Sequence, residues 1–169
     1  GGDTVSPWDV ENGTFYFKRC TMEGGVDMYC PRGWAYAEDC HFVCHNLNAA
    51  IWHDGTVYES SKSVLKNCTF EGLPGYKLGR YHRPAQMYLI GCRFSKDMAD
   101  AEIYQVNKDS VLRWGKRIFY YDCKRNGGNY SWHKNNIDKK TARKINRQWT
   151  LGERWNTYVT PTISGDYKM

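Results

Sequence analysis

The segment GGVDMYC, residues 24–30, holds one carboxylate inside an apolar run. In a strand, side chains alternate between two faces. Val26, Met28 and Cys30 then point inward, and Asp27 and Tyr29 point outward. Upstream, GGDTV reads as a matching strand with Asp3 at the matching place. Neighbouring strands lie ~4.8 Å apart, so two outward carboxylates there are close enough to couple their ionisation. Downstream, NAAIWHDG sets Trp52 outward beside them if Ala49 and Ile51 point inward. One repeat further, KLGRYHR adds Arg80 and His82, with Arg80 rooted about 10 Å from Asp27 and long enough to reach it.

Coupled carboxylates beside a cation can divide acid and base roles if their surroundings push their ionisation apart. Trp52 and Tyr29 add outward aromatic rings to the same face. The plainer reading is a solvated strand face. It suits any one of these residues alone, and the cluster argues for function. A second motif, CHFVCH at residues 40–45, could suggest a metal site. Strand alternation splits it, with Cys40, Phe42 and Cys44 inward and His41 and His45 outward. Its spacing fits no zinc or haem pattern, so no metal or cofactor is expected.

The elements that must carry this face come from a repeat. Five segments share a frame: TFYFKRCTM, WAYAEDCHF, SVLKNCTF, QMYLIGCRF and RIFYYDCKR. Their cysteines are Cys20, Cys40, Cys68, Cys92 and Cys123, at gaps of 20, 28, 24 and 31 residues. Irregular periods of this size fit a solenoid with insertions. Positions three and five before each cysteine are mostly apolar, as are the cysteine and the residue two later. Each half has period two, and the phase slips by one between halves, usually at a polar pair such as Lys18-Arg19, Glu38-Asp39 or Lys66-Asn67. A strand that keeps one face inward across such a slip must bend there. Strand, bend, strand and a longer excursion make one coil of a parallel β-helix. The frames predict Cys20, Cys40, Cys68 and Cys92 buried, reduced and stacked. In the fifth frame Arg125 replaces the apolar residue. The segment IDKKTARKINRQWTL predicts one short amphipathic helix, followed by a loop tail.

The whole chain of 169 residues reads as a single all-β domain. Aromatic residues make up 15% of it, too many for disorder. No apolar run reaches the roughly 18 residues that span a bilayer, so no membrane partner is expected. No signal peptide is legible. The net charge of +6 comes from spread Lys and Arg residues with one denser patch, KKTARKINR, and no nucleic-acid fingerprint accompanies it. A positive surface suits an anionic substrate.

The segments GDTV, GGVDMY and YKLGRYHR together resemble the pectin methylesterases, which carry Gln-Asp-Thr, Gly-x-Val-Asp and Leu-Gly-Arg-Pro-Trp segments in that order. LIGCRF, FYYDCKRNGG and LGERWN resemble the same family's C-terminal half, and the family's N-terminal coils have no counterpart here. The resemblance implies a right-handed parallel β-helix that is secreted, periplasmic or at a cell surface. It implies a hydrolase acting on methyl-esterified polygalacturonate, with Asp27 as nucleophile, Asp3 as general acid and Arg80 holding the nucleophile ionised. His82 stands where the family has a sugar-contacting tryptophan, and Gly2 where it has a glutamine of the oxyanion hole. Two other readings stay open: a pectin-like glycan binder without turnover, and a calcium-dependent polyuronate lyase.

Overall fold

The computed structural model describes residues 2–156. The chain winds through β1 (Thr14–Lys18) and β2 (Thr21–Gly24), then β3 (Trp34–Glu38), β4 (His41–Cys44) and β5 (Ala49–His53). The next coil is β6 (Ser63–Lys66), β7 (Thr69–Gly72) and β8 (Lys77–Tyr81). It is followed by β9 (Gln86–Ile90), β10 (Arg93–Phe94) and β11 (Tyr104–Gln105), and then by β12 (Arg117–Tyr121) and β13 (Lys124–Arg125). Every pairing is parallel. The sheets run β1-β3-β6-β9-β12, β13-β10-β7-β4-β2 and β11-β8-β5. This is a parallel β-helix in which three coils carry a strand in all three sheets.

Registry follows the cysteine frames. Phe17, Ala37, Leu65, Leu89 and Tyr120 lie on one line across the first sheet. Met22, Phe42, Phe70 and Phe94 lie on one line across the second. The Phe42 and Phe70 rings stack at 4.7 Å, and Phe70 and Phe94 lie 5.5 Å apart. Stacking of this kind adds to what burial alone contributes.

The phase slip has a backbone cause. Arg19, Asp39, Asn67 and Asp122 adopt φ between 50° and 54°, and Gly91 fills the matching place at 64°. Each directly precedes a frame cysteine. One left-handed residue turns the chain while returning the next side chain to the interior. The ladder continues through the turn: Arg19, Asp39, Asn67 and Gly91 each donate their N–H to a carbonyl of the next coil, at 2.8–3.1 Å. All seven cysteines are free thiols, and Cys40, Cys68, Cys92 and Cys123 are buried. Cys20 differs from expectation in being half-buried, because β1 and β2 end their sheets and no described strand stacks beyond them. Burial pushes the Cys92 thiol well up, whereas hydrogen bonds from the neighbouring thiols Cys40 and Cys92 pull Cys68 and Cys123 down.

The C-terminal part departs from the single expected helix. It forms α1 (Lys139–Lys144), α2 (Arg147–Leu151) and α3 (Glu153–Asn156). Asp138 caps α1 by accepting from Thr141 N–H, and Asn146 caps α2 by accepting from Trp149 N–H. A second N-cap inside the expected helix is what divides it. Residues 153–156, expected as loop, are helical, and the remainder of that expected loop lies outside the described residues. Ala142, Ile145 and Leu151 pack with Tyr36, Val64 and Tyr88 from the outer face of the first sheet. The helices thus cover one sheet and leave the third free of them.

Candidate functional site

The third sheet grows past β5 by isolated parallel bridges, Tyr29 to Ile51 and Val5 to Tyr29. Thr4 and Val5 both donate to the Met28 carbonyl, at 3.0 and 2.7 Å. This registry puts Asp3 opposite Asp27 on adjacent rungs. Asp27 itself has φ 55°, a conformation that costs an L-residue roughly 1 kcal/mol and that aspartate tolerates better than most.

Arg80 rises from β8 and grips Asp27 with a two-pronged bond. Its Nε donates to Oδ1 at 3.0 Å and its Nη2 to Oδ2 at 2.8 Å. The pair is mostly sheltered, with 15% of the Asp27 side chain exposed. A parallel double bond of this kind fixes orientation as well as charge. The hydrogen bonds to Asp27 raise the Arg80 pKa further. On the Arg80 rung, Trp52 is its partner in β5, and the guanidinium lies 5.2 Å over the indole. His82 stacks along Trp52 at 6.3 Å and an interplanar angle of 26°. Both rings are part-exposed.

A second guanidinium organises the other half of the site. Arg32 is 5% exposed. Its Nε donates to Asp54 Oδ2 at 2.6 Å, and its Nη1 lies 3.7 Å from Asp3 Oδ2. The same nitrogen donates to Ser6 Oγ and, at 3.1 Å, to the Cys30 carbonyl. Ser6 in turn donates to Asp3 Oδ2 at 2.8 Å, and the Trp8 ring covers the guanidinium at 3.9 Å. Trp52 Nε1 donates to Asp54 Oδ1 at 2.5 Å, joining the two halves. Beneath them Cys30 is fully buried. Burial pushes its thiol up. Arg32 opposes that shift, and the charges of Asp54, Asp3 and Asp27 add to it.

Of the six residues singled out in the sequence, five lie together on this face. Tyr29 does not. It is 0% exposed, with its ring 5.2 Å from Phe42 and 5.8 Å from Phe17 in the core. It has no surface to offer a sugar. The left-handed turn at Asp27 shifts the strand phase, so Met28 and Tyr29 both join the core. Arg32, Asp54, Ser6 and Trp8 were not read as site residues. The signal for Arg32 was a lone cation in the otherwise apolar run YCPRGWAYA. Asp54 in WHDG reads as an ordinary turn residue and gave none.

Among the described residues no three His, Cys, Asp or Glu side chains are arranged to hold a metal ion. The carboxylates here are paired with guanidiniums instead. Chemically the face offers a sheltered, oriented carboxylate at Asp27, a more exposed one at Asp3 and an aromatic shelf at Trp52 and His82. No family model matches the chain, and no curated protein or solved structure matches it.

Proposed function

We propose that the protein is a carbohydrate esterase that removes methyl esters from galacturonate residues of a pectin-like polyuronate. The observation that carries the reading is the two-pronged Arg80–Asp27 pair on a left-handed residue, with Asp3 in register beside it. A charge-paired carboxylate on a left-handed residue among part-exposed aromatics supports a functional reading of this face.

In this reading Asp27 attacks the ester carbonyl carbon. The tetrahedral intermediate collapses, the bond to methoxide breaks, and Asp3 gives its proton to form methanol. Asp3, now an anion, takes a proton from water as the resulting hydroxide adds to the acyl-enzyme. Asp27 and the free uronate then separate, and Asp3 is again protonated. Arg80 keeps Asp27 aimed through its two-pronged hydrogen bond. Trp52 and His82 flank the sugar. The space around Gly2 is open, since a side chain there would meet nothing within 4 Å.

One observation favours a second reading, a glycan binder without turnover. Asp3 is held by Ser6 and stands 3.7 Å from Arg32, so a cation neighbours the carboxylate that must carry the proton. Methanol release from methylated pectin, with and without chelator, separates the possibilities. Release untouched by chelator supports the esterase. Glycan retention without release supports the binder. An unsaturated product that needs calcium supports a lyase and rejects both.

A further inference from the structure

A cleft of about 540 Å³ opens beside the carboxylate cluster and shares Asp54 with it. That is the size of site that takes a small molecule. Its shape is fixed by backbone contacts. Gly55 has φ 118°, and a Cβ there would stand 2.3 Å from Arg83 Cβ, so glycine lets the two loops meet. Gly55 N–H donates to His53 Nδ1 at 2.9 Å, and Thr56 N–H to the Pro84 carbonyl at 2.8 Å. Tyr58 N–H donates to Thr56 Oγ1 at 3.0 Å.

The walls are apolar and aromatic: Val57, Val111, Tyr58 and Trp114. Val57 is 75% exposed and Val111 82%, so both present apolar surface at the mouth of the cleft. Two arginines, Arg83 and Arg113, also line the cleft, and neither has an ion-pair partner among the described residues. Asp54 does not cancel them, because Arg32 and Trp52 already occupy its two oxygens. The cleft is therefore apolar in its walls and positive in its unpaired charge.

We propose that this cleft binds a small aromatic carboxylate, with the ring against Tyr58 and the valines and the carboxylate on Arg83 and Arg113. The Trp114 ring carries the Arg117 and Arg113 guanidiniums, at 4.7 and 5.8 Å, and forms the wall behind them. Aromatic walls favour a flat ring over an alkyl chain. Guanidinium forks favour a carboxylate over a neutral group. The cleft lies on the far side of Asp54 from the Asp27–Asp3 pair, and a small free acid rather than the polymer is the ligand proposed for it. Binding can be read with no turnover, so the two proposals fail independently.

The test is calorimetric titration of the full chain with 2-naphthoate, its neutral analogue 2-naphthamide, and octanoate. The expected result is saturable naphthoate binding, about tenfold tighter than either comparator. Arg83→Gln combined with Arg113→Gln removes the preference for acid over amide. Val111→Asp, an exposed change checked for an unaltered circular dichroism spectrum, weakens naphthoate by about tenfold. Absence of saturable binding, equal affinity for naphthamide or octanoate, or unchanged affinity in Val111→Asp overturns the proposal.

Discussion

The left-handed turn occurs in two settings in this molecule. At Arg19, Asp39, Asn67, Gly91 and Asp122 it recurs on every coil, always one residue before a frame cysteine. At Asp27 it occurs once, and the segments opposite it on neighbouring rungs carry no non-glycine counterpart. The repeated turn is architectural. At Arg19, Asp39, Asn67 and Gly91 the bend N–H donates to a carbonyl of the next coil, and at Asp122 it donates to Asn135 Oδ1. Asp27 N–H makes the inter-coil bond too, to the Ala49 carbonyl at 2.8 Å, so the two settings differ in the side chain rather than in the ladder. The solitary turn holds a carboxylate gripped from two coils away. The same left-handed backbone thus supports winding in one place and side-chain placement in the other. The difference lies in what the neighbours do.

The largest effect that separates the two settings is on turnover. Asp27→Asn fills the same space and tolerates the same backbone, but an amide is no nucleophile. If the esterase reading holds, methanol release falls by more than about 10³-fold with an unchanged fold. Asp39→Asn makes the same chemical change at the same φ on an exposed bend. It leaves release unaltered and shifts stability by less than about 0.5 kcal/mol. Equal losses from both variants would mean that the turn, rather than the carboxylate, matters.

The repeated setting was legible in the sequence because it repeats. Five frames show the same phase slip, so the bend and the inward columns could be read before any coordinates. The turn at Asp27 has no second copy to reveal its slip. Simple alternation through VDMYC therefore sends Tyr29 outward, and the actual turn sends it into the core. Asp27, Arg80, Trp52 and His82 were legible because their strands follow one another at coil spacing. Arg32 and Asp54 were not, because they meet through side chains 22 residues apart that no strand period relates. The divided helix escaped notice because Asn146 falls inside an otherwise good apolar stripe.

Stability divides the settings next. Arg32 is a buried cation shared by Asp54, Asp3, Ser6 and the Cys30 carbonyl. Arg32→Gln leaves the part-exposed Asp54 carboxylate short of its ionic partner and the Cys30 carbonyl short of a donor, and costs about 1–2 kcal/mol in urea unfolding. A loss below about 0.5 kcal/mol would show that the network is solvated and easily replaced.

Acid should weaken the fold beside the site. Burial pushes the His53 imidazole from 6.5 down to about 4, with Asp54 opposing that shift and Arg32 adding to it. The unfolded chain then binds the extra proton between those values. His53 is neutral in the fold above pH 6.5, and its contribution to stability is lost as pH falls to about 4. The full span is worth roughly 3 kcal/mol. His53→Asn keeps an acceptor for Gly55 N–H while removing the titration. Its stability should decline less than wild type across that window, by unfolding measured at several pH values. Parallel declines would place the acid sensitivity elsewhere.

The smallest effects test the repeated turn itself. Arg19 carries a long side chain at φ 52°, where glycine has no Cβ to strain. Arg19→Gly should therefore stabilise the fold by up to about 1 kcal/mol, less whatever entropy the unfolded chain gains. Gly91→Ala is the reverse change at φ 64° and should cost about 1 kcal/mol. Its new methyl would also stand 2.5 Å from Asn67 Oδ1, the mobile end of a side chain one coil away. Strain and collision can be told apart by adding Asn67→Gly, which removes that oxygen and itself accepts the left-handed backbone. If the cost of Gly91→Ala is backbone strain, it persists in the Asn67→Gly background. If the cost vanishes there, collision with Asn67 set it, and the bend tolerates a Cβ at that rung without strain.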